Sequence, residues 1–366
     1  MRRLENKRIE RIDDRRAGYL NSDRSAELLH LLRAHFNDPE ATFSSRPKRL
    51  SGGIFSEVYG FRMNTGGCGR PMVLRLYAAG TDPVQPKLEQ AIQDGLADAQ
   101  FPAPRVIIAD CDSDQFGGMF MVMERLPGRG FLRGVRWDQF VADFPKVCIC
   151  WPAVLVEVAE RLHQVDPAPV LAAAAKGGIE ASQLTAHRHT EFVAANLGAL
   201  GDRRTDEALA WMTENEPAHV DAPSIIHGDL WPANVLMQRG HLTGLVDWTM
   251  AGIGDPALDL GFACAGLALM PAPLPPPSPI RQGIHAAGLN LAQRIREQYL
   301  QRVQVTAERV EFYEALRCLV ELSTVLSYRH RSNSDGAGSR RPPWDKGVNA
   351  LVGHFMKITG VPLAIE

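Results

Sequence analysis

Residues 227–236 read His227-Gly228-Asp229-Leu230-Trp231-Pro232-Ala233-Asn234-Val235-Leu236, and Val246-Asp247-Trp248 follow shortly after. Apolar runs bound this polar cluster: Ser224-Ile225-Ile226 before it, Val235-Leu236-Met237 after it, and Leu245-Val246 further on. The pattern predicts short buried strands joined by a turn, with a working loop at their mouth. Three side chains in that loop region handle protons and cations. Asp229 offers a carboxylate that can take the proton of a hydroxyl. The amide of Asn234 and the carboxylate of Asp247 are hard oxygen ligands of the kind that hold Mg²⁺ against nucleotide phosphates. Phosphoryl transfer from a nucleotide needs that set. Taken alone, His227-Gly228-Asp229 is an ordinary strand-ending turn with an aspartate that caps a helix. Asp247 and the flanking strands set the combination apart.

The chain has 366 residues, enough for one large or two moderate domains. Hydrophobic residues make up 45%, as in globular proteins. The net charge of -2 gives no basic field for a nucleic-acid partner. The basic N-terminus has no apolar segment behind it, so no secretory signal is expected. The apolar stretch at 258–274 is broken by Gly261, Gly266 and prolines, so no membrane span is expected. The six cysteines are scattered apart from Cys148 and Cys150, as in a reduced, cytoplasmic protein. A metal site at Cys148 and Cys150 lacks a second pair at zinc spacing.

Residues 1–46 read as a charged helical extension, with helical periodicity over 25–36, ended by Pro39 and a turn at 44–47. Antiparallel strands are predicted at 49–50, 57–63 and 72–77, with the turn of the last pair at 64–71. A helix at 86–96 and strands at 105–108 and 118–124 complete a small sheet-rich lobe over 47–128. Leu126-Pro127-Gly128 breaks the pattern and joins it to a larger, mostly helical part over 129–366. Helices are predicted there at 151–165, 182–197, 206–213, 290–303 and 307–328. The proline-rich stretch at 270–279 reads as an extended crossing, and 332–339 as a flexible loop.

The segment 227–234 resembles the catalytic loop of the aminoglycoside phosphotransferase and choline kinase group, relatives of the protein kinases. Leu245-Val246-Asp247-Trp248 resembles that group's metal-binding strand end, and the run from Gly254 to Leu260 the segment after it. The resemblance implies a two-lobed α+β kinase-like fold, with a small antiparallel-sheet N-lobe and a larger helical C-lobe. It implies Asp229 as base, Asn234 and Asp247 as Mg²⁺ ligands, His227 as a brace, and Asp259 as an acceptor for loop amides. Capping of the helix after Pro256 also accounts for Asp255 and Asp259.

In the small lobe, Gly52 and Gly53 allow close backbone approach, and the amides there with Ser56 could meet phosphate oxygens. A Gly-Gly hairpin turn is the plainer reading. Arg75 stands where the family usually has lysine. Its fork can grip phosphate, but it is not equivalent to lysine. Glu89 matches its acidic partner. The plainer readings are a surface strand residue for Arg75 and a solvated helix face for Glu89. The stretch from Met123 to Gly128 resembles the lobe hinge, so main-chain groups from Glu124 to Leu126 would meet the purine, walled by Val73, Met121 and Met123. His163 reads as a packed structural histidine. His187 and His189 read as neutral histidines rather than metal ligands.

Together these readings give a small-molecule O-phosphotransferase. It moves the γ-phosphoryl of a Mg²⁺-bound nucleotide, ATP or GTP, to a hydroxyl beside Asp229. Acids and arginines alternate along the predicted acceptor-facing segments, which is not the pattern of a dedicated polycation site. An alcohol, a sugar, a macrolide and an acyl-thioester-linked hydroxyl remain open, as does the oligomeric state. Two other classes stand beside this reading. One is a catalytically weak, regulatory nucleotide-binding module, motivated by Arg75. The other is a phosphoesterase, which lacks the residue clusters of a two-metal site.

Overall fold

The computed structural model describes residues 18–50, 56–111, 115–132, 137–199, 203–218, 220–269, 278–303, 305–335, 345 and 347–363. The chain opens with helix α1 (Ser22–Phe36), started by Asn21, whose side chain accepts from the Arg24 amide at 2.9 Å. Leu28 and Leu32, one helical turn apart, are fully buried against the sheet that follows. Strands β1 (Thr42–Arg49), β2 (Ser56–Thr65), β3 (Cys68–Tyr77), β4 (Val106–Asp110) and β5 (Phe120–Glu124) form that antiparallel sheet, in the order β1-β2-β3-β5-β4. Helix α2 (Val84–Asp98) lies between β3 and β4 in the chain.

The sheet corrects two expectations. Residues 44–47 are not a turn but part of the bulged edge strand β1, with register breaks between Phe43 and Ser45 and between Ser45 and Lys48. An edge position tolerates Pro47, which has no N–H to donate, and lets polar side chains face water. The Leu20 amide donates to the Pro47 carbonyl at 2.9 Å and the Arg49 amide to the Gly18 carbonyl at 2.7 Å. The chain from Gly18 onward is thus sewn onto the lobe rather than extending from it. The second correction is the β2–β3 turn. It is the pair Gly66-Gly67, both at positive φ, and the strands run on to the Thr65 and Cys68 pair.

After β5 the chain crosses through β6 (Arg129–Gly130) into the helical lobe. Helices α3 (Trp137–His163), α4 (Ala168–Lys176), α5 (Arg188–Gly198) and α6 (Arg203–Asn215) precede four short strands. Helix α3 starts well before residue 151 and contains Pro145 and Pro152. The helix predicted at 182–197 is instead a 3₁₀ turn (Ala181–Leu184) followed by α5. Strands β7 (Ser224–Ile226), β8 (Val235–Gln238), β9 (His241–Leu245) and β10 (Gly252–Gly254) follow. Helices α7 (Ala257–Ala268), α8 (Ser278–Leu300), α9 (Ala307–Asp335) and α10 (Val348–Thr359) complete the lobe. Part of the stretch read as a loop at 332–339 is the end of α9. The rest of it, and 270–277 of the proline-rich crossing, lie outside the described residues.

Helix α7 is buried on nearly every side and packs between α8 and α9. A helix apolar all round belongs in the middle of a lobe. Two small ladders set the site in front of it: β7 pairs with β10, and β8 pairs with both β6 and β9. Residues 227–234 join β7 to β8, and residues 246–251 join β9 to β10.

Candidate active site

The loop between β7 and β8 is held from behind by Asp259, in the first turn of α7. One Asp259 oxygen accepts from the Gly228 amide at 2.6 Å, and both accept from the His227 amide at 3.0 and 3.1 Å. His163, at the end of α3, adds a contact from Nε2 at 2.9 Å. Burial pushes the Asp259 carboxyl up, but His163, His227 and the amides outweigh it and hold the group below the usual carboxylate range. The His227 ring is fully buried. Its Nδ1 accepts from the Asp229 amide at 3.2 Å, so its Nε2 carries the proton and donates to the Val246 carbonyl at 3.0 Å. It meets Trp248 edge to face at 4.6 Å. His227 thus ties the two loops together. Gly228 sits at φ +73°, and a Cβ there would stand 2.6 Å from the Met250 carbonyl oxygen. Only glycine suits that position.

These braces present Asp229, whose side chain is 34% exposed. Its Oδ2 accepts from Asn234 Nδ2 at 2.9 Å, and its Oδ1 from Arg317 Nη2 at 3.3 Å. Asn234 Nδ2 also reaches the Asp229 carbonyl at 3.0 Å. On the neighbouring loop Asp247 adopts φ +68°, a conformation that aspartate tolerates better than most residues. Its carboxylate is 46% exposed and accepts from the Thr249 hydroxyl at 2.8 Å and from Arg75 Nη1 at 3.3 Å. Packing raises the Asp247 carboxyl. Arg75 and the Thr249 hydroxyl more than offset this and keep it below the usual range.

Strand alternation turns Leu74 and Leu76 into the core under α1 and Arg75 to the other face of the sheet. There Arg75 Nη1 meets Glu89 at 3.0 Å and Nη2 meets the Thr249 hydroxyl at 2.8 Å. Glu89 is fully buried, not on a solvated face. It also receives Gln85 at 3.0 Å and the Tyr77 hydroxyl at 3.2 Å. Burial raises the Glu89 carboxyl against the pull of Arg75. Burial lowers the Arg75 guanidinium, but Glu89 and Asp247 reverse this and raise it.

The remaining expected residues divide. Ser56 opens β2 opposite Tyr77, at the same end of the sheet as Arg75. Gly52 and Gly53 lie outside the described residues. Glu124 ends β5 with its amide on the Arg105 carbonyl at 2.9 Å, and its side chain is exposed. Leu126 follows in the crossing to β6, which pairs with β8 just beyond the catalytic loop. Met121 and Met123 are buried, and Val73 is half-buried. His187 pairs with Glu216 at 2.7 Å. His189 is buried, with Nε2 on the Met250 carbonyl at 3.0 Å. Among the described residues no cluster of three or more His, Cys, Asp and Glu is placed to hold a metal.

Arginines from the helical lobe were not assigned to the site from sequence. Arg188 Nη2 donates to the carbonyls of Thr249 (3.3 Å) and Ala251 (2.5 Å), while its Nη1 is buried without a partner. Burial pulls its guanidinium down to about 10. Arg317 lies in α9 within an apolar run, between Leu316 and Cys318, each 1% exposed. A charge in such a run needs buried partners, and that was the available signal.

The model of the phosphotransferase enzyme family APH matches residues 48–299. The chain belongs to this family. Aminoglycoside phosphotransferase APH(4)-Ia, in a ternary complex with ADP and hygromycin B, superposes with a TM-score of 0.57 at 17% identity, covering 93% of this chain and 100% of that one. Acyl-CoA dehydrogenase family member 11 of Gallus gallus is 25% identical over 189 residues, which make up 48% of this chain and 22% of that protein. Member 10 of Mus musculus is 25% identical over 205 residues, 53% of this chain and 18% of that protein. The chain spans about a fifth of the length of these two relatives. The fold is the two-lobed kinase-like one. No helix among the described residues is long and apolar enough to cross a membrane.

Proposed function

We propose that the protein transfers the γ-phosphoryl of ATP or GTP, bound with Mg²⁺, to a hydroxyl of a small molecule, with Asp229 as the base. One observation carries this reading. Arg75, from the small lobe, bridges buried Glu89 and the exposed carboxylate of Asp247, while Asp229 stands partly open on the adjoining, braced loop. The arrangement supplies a cation for phosphate oxygens, a charged carboxylate for a metal and a free lone pair for a proton.

The donor set fits Mg²⁺. Asp247 is kept charged by its neighbours, and Asn234 spends its Nδ2 on Asp229, so Oδ1 is the atom it offers. When bound, the ion supplies charge neutralisation on the phosphates. The chain's own residues do the rest. Asp229 orients the acceptor hydroxyl and takes its proton as that oxygen bonds to the γ-phosphorus. The bond from phosphorus to the departing nucleoside diphosphate oxygen breaks, and Arg75 lies where the phosphate charge is met. One structural neighbour is a ternary complex with ADP and hygromycin B. For this chain the acceptor is a hydroxyl-bearing small molecule.

A panel of alcohols, sugars, aminoglycosides, macrolides and hydroxyacyl thioesters, scored for nucleotide-dependent phosphate transfer, tests the reading. Transfer to at least one compound, lost in Asp229→Asn with nucleotide affinity kept, is the expected result. Transfer at the parental rate by Asp229→Asn refutes the base assignment.

A further inference from the structure

Arg317 is the least expected group at the centre of this site. Its guanidinium makes five contacts. Nη1 donates to the Gly228 carbonyl at 3.2 Å and lies 2.9 Å from the Met250 sulfur. Nη2 reaches Asp229 Oδ1 at 3.3 Å and Glu321 at 2.6 Å. The cation stands over the Phe262 ring, 5.3 Å from its centroid. Its side chain is 14% exposed and that of Glu321 13%. A guanidinium so fully engaged is not offering itself to a ligand. It is fixed in place, and what it fixes is the carboxylate of Asp229.

We infer that Arg317, held by Glu321 one turn further along α9, is the positioning residue for the base. The inference rests on the assignment of Asp229 made above. Asp229 has two carboxylate oxygens, and each is bound from a different side. Asn234 holds Oδ2 from within the loop, and Arg317 holds Oδ1 from a helix of the core. Asn234 alone would let the carboxylate turn about the bond to its Cβ, because both of its contacts come from one amide nitrogen. Arg317 removes that freedom and also grips the Gly228 carbonyl on the preceding peptide. Side chain and backbone of the base are therefore referenced to one rigid fork. Glu321 contributes by holding the same Nη2 that reaches Asp229, and it balances one buried charge with another. Asp229 keeps lone pairs beyond these contacts, and its side chain remains 34% exposed. Positioning of this kind acts on the chemical step and leaves nucleotide binding alone, since Arg317 reaches Asp229, Gly228, Glu321, Phe262 and the Met250 sulfur but none of Asp247, Arg75 or Glu89.

The test uses the full chain with an acceptor found in the panel. Removing Arg317 alone would strand two carboxylates, so the informative variant is Arg317→Met with Glu321→Met, which removes both buried charges together. We expect it to fold and to bind Mg-ADP with the parental affinity by calorimetry. Its KM for nucleotide should be unchanged, while kcat falls by about 30- to 100-fold, the scale on which lost orientation acts. Arg317→Lys should recover part of that loss, because an ammonium can meet Asp229 but cannot also span the Gly228 carbonyl and Glu321. A double variant with parental kcat overturns the inference. So does one whose Mg-ADP affinity falls in step with kcat, which is the mark of a general structural role. Asp229→Asn separates the two claims. If it transfers phosphate at the parental rate, the base assignment fails. If it is inactive while the double variant is fully active, only the role of Arg317 fails.

Discussion

His189 is 6% exposed and lies tilted against Phe262, with ring centroids 5.5 Å apart. Its Nε2 donates to the Met250 carbonyl at 3.0 Å, below the peptide that faces Gly228. Burial, then the nearby charges of Arg188 and Arg317, push the ring down to about 3, against the smaller upward pull of the Met250 carbonyl and Asp259. In an unfolded chain a histidine titrates near ~6.5. The folded state therefore keeps this ring neutral while the unfolded chain takes up a proton. Above the unfolded value the group costs nothing. As pH falls below it, stability is lost at about 1.36 kcal/mol per unit until the folded-state value is reached. Between pH 7.5 and pH 5.0 that is a loss of about 2 kcal/mol from this ring alone. His189→Gln keeps a donor for the Met250 carbonyl and cannot titrate. Urea unfolding of both proteins at the two pH values should show the parent losing about 2 kcal/mol more than the variant. Stability curves that fall in parallel would refute the assignment of a neutral, buried ring.

Three further outcomes follow from the site. Gly228→Ala forces a Cβ into the Met250 carbonyl at positive φ, so it should cost upwards of about 1 kcal/mol in unfolding free energy and lower the transfer rate; unaltered melting and kinetics would count against the close approach. Asp247→Asn should weaken Mg²⁺-dependent nucleotide binding by about tenfold or more, measured by calorimetry with and without the metal; equal affinities would remove its role as a ligand. Arg75→Lys should raise KM for nucleotide several-fold, because a single ammonium cannot serve Glu89, Asp247 and Thr249 together; an unchanged KM would make the fork dispensable.

What was legible in the sequence was local. Asp229, Asn234 and Asp247 lie in one short stretch between apolar runs, so their spacing could be read directly. The pairing of Arg75 with Glu89 was one of two open readings, and the buried carboxylate decides it. Arg317 was out of reach because 88 residues separate it from Asp229 and no spacing rule links them. Edge strand β1 was misread for a different reason. Its serines and proline carry the composition of a turn, and only the partner strand shows that they hydrogen-bond as a ladder. Pro145 and Pro152 hid the first half of α3. Helix α7 drew attention as an apolar run but gave no amphipathic stripe, since it is covered on nearly every side.

Thr249 receives groups from both lobes. Its hydroxyl is reached by Arg75 and its carbonyl by Gln85, both from the small lobe, at the point where Arg188 of the large lobe also donates. With the Arg75–Asp247 pair, these bonds fasten the lobes to each other at the 246–251 loop. Parting the lobes at this loop breaks them together. The rate at which spent nucleotide escapes would then be set at this clasp. A Thr249→Val exchange, which deletes the hydroxyl and spares the carbonyl, would loosen half of it and quicken release, and would also remove the donor that Thr249 gives Asp247.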